Sequence, residues 1–153
     1  MNKRYVRPVW MIGTTLLILG GALLFAANVH FVRGPSVTDA GTVLVVAGKL
    51  AGLGQGDVTL IVNAQGIASV ECTNPGGNVA PGQDTSISAS GSVTLPSAKN
   101  GQLVFSVSTA EPTVPNTPTC PNSAWSADVV DVAFSGGTLT VIQGGVIVLQ
   151  TAF

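Results

Sequence analysis

From about residue 40 onward, apolar and polar positions alternate in short runs separated by small and turn-forming residues. Thr42 to Lys49 (TVLVVAGK) is apolar enough for a buried strand, and Asp57 to Ala64 (DVTLIVNA) puts Val58, Leu60, Val62 and Ala64 on one face. Gln65-Gly66 then reads as a turn into Ile67 to Glu71. Leu103, Phe105 and Val107 alternate with Gln102, Ser106 and Ser108. Near the C-terminus three runs, Val129 to Phe134, Thr138 to Gln143 and Val146 to Thr151, are separated by Gly136-Gly137 and Gly144-Gly145. Gly-Gly and Gln-Gly between β-branched runs are hairpin signals. No window after the first 30 residues shows the three-and-four spacing of an amphipathic helix. The pattern predicts an all-β domain of about seven to nine strands, an immunoglobulin-like antiparallel β-sandwich. Its longest loops would run from Cys72 to Asp84 and from Ala110 to Ser126.

The first residues follow a different pattern. Lys3, Arg4 and Arg7 precede an apolar run from about Trp10 to Val29, with small residues at Ala26-Ala27. That is the order of a Sec-type signal peptide. The run is also nearly long enough to serve as an uncleaved signal anchor, which needs about 20 residues. Residues 1–27 are therefore expected to be a signal peptide or signal anchor, and residues 28–153 the β-domain. Both alternatives place the domain outside the cytoplasm, extracellular or at the cell surface, because positive charges before the segment hold its N-terminus inside. Contact with a membrane is expected only through this segment, if it stays attached.

Charge narrows the function. After the segment the cations are Arg33, Lys49 and Lys99, against seven carboxylates, a net charge of −4. With no basic patch to neutralise phosphates, nucleic acid is excluded as a partner. The polar surface must come from Ser, Thr, Asn, Gln and Gly instead.

Candidate chemistry is sparse. Gly52-Leu-Gly-Gln-Gly56 has the composition of a phosphate loop but leads into a strand, so it reads as a turn. His30 is the single histidine, beside the first strand. Asp128 and Asp131 are three apart, which on a regular strand puts them on opposite faces, so they are not a ready carboxylate pair unless a bulge intervenes. No metal-binding loop or cofactor motif is present, so no cofactor and no catalytic residue are assigned and the domain is expected not to be an enzyme. Cys72 and Cys120, 48 residues apart, are expected to form a disulfide in an exported domain. The alternative, a two-cysteine zinc site, has no nearby histidine. Trp125 is expected to pack in the core beside that disulfide, with an exposed sugar-stacking platform as its alternative. Asn74-Pro75-Gly76-Gly77 has tight-turn composition. The disulfide would tie it to the Pro- and Asn-rich stretch around Cys120 at one end of the sandwich.

Three stretches, "LAGLGQGDV", "CTNPGGNVAPGQ" and "CPNSAW", together resemble a family of small exported bacterial proteins of unknown function. The similarity extends from about His30 to Phe153. The resemblance implies an N-terminal signal followed by one short β-rich domain, and it implies no activity. Many members of that family end in a Cys-containing tail, whereas this chain ends in Thr151-Ala152-Phe153. The expected role is a non-enzymatic surface or extracellular interaction or structural protein whose partner is a protein or a glycan. Recognition is expected on the two loops, at Asn74, Asn78, Gln83, Asn116, Asn122 and Trp125. The alternative is a carbohydrate-binding module that uses those loops and Trp125.

Overall fold

The computed structural model describes residues 28–97 and 100–153, so the expected signal or anchor over 1–27 lies outside the described residues. Among the described residues, eight strands and one helical turn form two antiparallel sheets. In the three-stranded sheet, β1 (His30–Asp39) pairs with β2 (Leu44–Ala51), and β2 pairs with β6 (Leu103–Ser108). The five-stranded sheet is built on β3 (Asp57–Thr73). One side of β3 pairs with β7 (Ser126–Gln143), which carries β8 (Val146–Ala152) at its edge. The other side takes β5 (Thr85–Pro96) along residues 57–68 and the short β4 (Val79–Pro81) along 71–73. Among the described residues no helix is long and apolar enough to cross a membrane.

The alternation read from the sequence explains how the sheets meet. Val58, Leu60 and Val62 of β3 and Leu139 and Val141 of β7 point inward. They share one cluster with Val46 and Leu50 of β2 and Leu103, Phe105 and Val107 of β6. Leu50, Leu60, Leu139, Val46, Val58, Val62 and Val141 are fully buried. Burying a Leu or Val completely stabilises a fold by ~1.5–3 kcal/mol, so this cluster is the main source of stability. After β6 the chain crosses between the sheets. The Thr109 N–H donates to the Leu44 carbonyl at 2.9 Å and the Ala110 N–H to the Ser90 carbonyl of β5 at 2.8 Å.

Two of the expected hairpins are not turns. β3 runs without a break through Gln65-Gly66, and β7 runs through Gly136-Gly137. The two dipeptides lie opposite each other. Gln65 pairs with Gly136 and Gly66 with Phe134, which leaves Ser135 as an extra residue on β7. A second extra residue, Val130, lies between the Ser69–Asp131 and Val70–Val129 pairs. Each bulge shifts the inward face of β7 by one position. The inward residues therefore run Ala127, Val129, then Val132, Phe134, then Gly137, Leu139, Val141, with a three-residue step wherever a bulge intervenes. Gly144-Gly145 is the real hairpin turn: Gln143 pairs with Val146 and both glycines have positive φ (60° and 78°), as a type I′ turn requires.

Beyond the bulge at Ser135, the β3–β7 ribbon outruns the three-stranded sheet. Its inner face has a small cluster of its own, Ala68, Val70 and Val132, packed by Ile87, Val114, Ala127, Val129 and Phe134. Val114 comes from the loop between β6 and β7, so that loop serves as the cover which the short sheet cannot supply.

Candidate functional site

Cys72 and Cys120 are bonded, with Cα atoms 5.7 Å apart. Cys72 sits on the inner face of β3 between Ala80 of β4 and Ala127 of β7, and both cysteines are buried. The disulfide and one backbone bond, Gln83 N–H to the Thr119 carbonyl at 3.0 Å, hold the two long loops side by side. The helical turn Asn116–Thr119, interrupted at Thr117, closes the second loop where Cys120 donates its N–H to the Asn116 carbonyl at 2.7 Å.

Of the polar side chains expected to recognise a partner there, three are engaged in bonds that hold the loops themselves in place. The Asn74 Oδ1 accepts from the N–H groups of Gly76 and Asn78, each at 2.9 Å, and so organises the turn. The Asn116 Oδ1 accepts from the Ala127 N–H at 3.0 Å, and the Asn122 Oδ1 from the Ala124 N–H at 3.0 Å. Asn and Asp favour turns because a short side chain can replace a backbone acceptor in this way. Asn78 and Gln83 are exposed; the Asn78 amide makes one long contact to Asn74 at 3.5 Å. Trp125 is half-buried and belongs to neither apolar cluster, so the expectation that it packs in the core is corrected. Its N–H backbone group closes the Asn122 turn at 3.2 Å.

The acids also differ from expectation. The bulge at Val130 turns Asp128 and Asp131 to the same outward face, opposite Glu71 and Ser69 of β3 respectively. A three-residue separation implies opposite faces only on an unbroken strand. Among the described residues no three His, Cys, Asp or Glu side chains gather closely enough to hold a metal ion. His30 is exposed at the start of β1, its Nδ1 2.8 Å from the Asn28 carbonyl oxygen, at the end of the fold opposite the disulfide.

A second set of polar groups lies on the outer face of the long sheet, and the sequence reading did not single it out. A trough of about 540 Å³ crosses β5, β3 and β7, with Asn63, Gln65, Ser88, Ser90 and Thr138 along it and Gly136 leaving its floor open. A neighbouring depression of about 660 Å³ shares Gln65, Ser88 and Ser135 and extends it toward Ser86 and Ile67. The outward residues of β5 form a row, Ser86, Ser88, Ser90, Ser92 and Thr94, each paired with an outward residue of β3. Among the described residues, the side chains of Asn63, Gln65, Ser88, Ser90 and Thr138 have no intramolecular hydrogen-bond partner, unlike the loop asparagines. The Ser-x-Ser-x-Ser-x-Ser-x-Thr period over 86–94 is the signal that could have pointed here.

Comparison with known proteins finds no matching family model, no matching curated protein and no matching solved structure.

Proposed function

We propose that this chain is an exported, non-catalytic binding or structural domain of immunoglobulin-like architecture, displayed outside the cytoplasm either free or tethered by residues 1–27. The strand order supports the architecture. Naming β1, β2, β3, β5, β6, β7 and β8 as A, B, C, C′, E, F and G gives an A-B-E sheet facing a C′-C-F-G sheet, an immunoglobulin-like arrangement without strand D. The disulfide differs from the antibody pattern, because it joins the end of β3 to the loop before β7 rather than B to F. The observation that carries export is this buried disulfide in a chain that opens with a cationic and then apolar segment.

A non-catalytic role is supported by the composition of the surface. The single histidine stands apart from the acids on β7, and the polar groups most available for contact are neutral amides and hydroxyls. Such groups bind well but do not supply a nucleophile with a base. The partner is a protein or a glycan, and nucleic acid does not fit the net negative domain. N-terminal sequencing of the protein from the medium and from the membrane fraction tests export. A mature chain starting at Ala27 or Asn28 shows release, and an intact N-terminus in the membrane shows tethering. A cytoplasmic protein with two alkylatable thiols would refute the proposal.

A further inference from the structure

Resting on the reading of an exported binding domain, we infer that the trough on the outer face of the long sheet is a binding site for a neutral polysaccharide chain, and that the disulfide-pinned loops are not. The trough spans Asn63 to Ile67 along β3, ~13 Å at the rise of a strand, and crosses three strands, about 10 Å. That footprint suits a short run of sugar rings laid end to end.

The chemistry of the lining chooses the ligand class. From Thr59 to Ser69 on β3, Ser86 to Thr94 on β5 and Ala133 to Ile142 on β7, no charged residue occurs, although the domain carries seven carboxylates. Asp131 is the next outward residue of β7 beyond Ala133, just past the Ile67 end of the trough, and Asp128 and Glu71 lie one pair further. An anionic polymer would meet no cation here, and a cationic one no carboxylate. The Asn63 and Gln65 amides each offer donors and an acceptor, and the hydroxyls of Ser88, Ser90 and Thr138 can do either. Sugar hydroxyls also donate and accept, so the two sets are complementary without any charge.

A protein partner fits less well. β3 is paired on both sides, by β5 and β7, so a peptide strand could add only along the outer edge of β5, beside the trough and not within it. Protein interfaces centre on large apolar or Arg anchors, and Ile67, 52% exposed, is the one large apolar side chain standing open at the trough. Phe134, which lines the second depression, packs against the inner cluster. Without an exposed ring to stack on a sugar face, binding per sugar is weak. Polymers that present many sites at once therefore give the better readout.

The test uses the exported protein as purified from cells, in depletion isotherms on cellulose, chitin and starch granules, with alginate as the charged comparison. Expected is retention by at least one neutral polymer and none by alginate. Asn63→Ala with Gln65→Ala should weaken retention roughly tenfold, the scale of losing two hydrogen-bonding groups. Ser88→Arg, which fills the trough from the edge strand, should abolish it even if the double variant fails to fold. Asn78→Ala with Gln83→Ala, on the loops, should leave retention unchanged. Equal retention by the folded trough variants, or loss in the loop variant, would overturn the assignment of the site. No retention by any of the three neutral polymers, or a protein partner lost in the same trough variants, would overturn the ligand class. Neither result touches the exported-domain reading, which N-terminal sequencing decides separately.

Discussion

Asn74 and Gln83 belong to the same pinned loops, yet their side chains do different things. The Asn74 Oδ1 accepts from two backbone N–H groups of its own turn, whereas Gln83 contributes its backbone N–H and leaves its side chain in solvent. Asn74→Ala strands those donors and should cost about 1–2 kcal/mol. Gln83→Ala should stay within roughly 0.5 kcal/mol of the parent. Urea denaturation of both variants checks the contrast, and equal stabilities would remove Asn74 as the organiser of the turn. The cysteines make a larger case. They close a loop with a sequence separation of 48, for which restricting the unfolded chain is worth ~4 kcal/mol. Cys72→Ala with Cys120→Ala should lose about 2–4 kcal/mol in the same assay. Non-reducing peptide mapping of the parent should show the two cysteine peptides linked.

At the scale of one element, β7 shows how a strand can look like two. Its bulges let it follow β3 past the point where the three-stranded sheet ends, and Gly66, opposite the bulge at Ser135, allows the backbones to approach there. A Cβ on Gly66 would come within 2.7 Å of the Ala133 carbonyl oxygen and 2.9 Å of Val132 Cγ1. Neither can retreat easily inside a paired ribbon, so Gly66→Val should destabilise by about 1–3 kcal/mol. Gly144→Asn should be nearly neutral. A Cβ there meets nothing within 4 Å, and Asn is accepted at the positive φ of a type I′ turn. Thermal melts of the two variants give the comparison. Similar losses would mean that the register at the bulge is not as described.

For the whole molecule, two unequal cores imply two unequal stabilities. The larger joins both sheets through residues such as Leu60, Val46 and Phe105. The smaller, Ala68, Val70 and Val132, depends on the β6–β7 loop and on the disulfide that fixes it. Local opening follows contact density. Reducing the disulfide should therefore speed amide exchange over β4 and residues 110–125 first, while β2 and β6 keep their protection. Hydrogen exchange read by mass spectrometry, with and without reductant, resolves the two regions. Uniform acceleration across all strands would show a single cooperative unit.

The alternation of β2, β6 and the first half of β3 was legible in the sequence because a strand buried on one face must carry apolar residues at every second position. The Gly144-Gly145 turn was legible because few residues tolerate its backbone. The cysteine pairing was legible from compartment chemistry, since two cysteines in a domain expected to be exported have one obvious use. What the sequence left open depends on partners distant in the chain. Gly136-Gly137 has the composition of a turn, and only the facing strand decides that it is a bulge instead. A separate bulge, at Val130, fixes the face that Asp128 and Asp131 share. Asn74, Asn116 and Asn122 looked available because local sequence does not reveal which amide a loop uses for itself. The neutral trough was hidden for the opposite reason: its groups come from residues 63 to 138 and become one surface only when β5, β3 and β7 lie side by side.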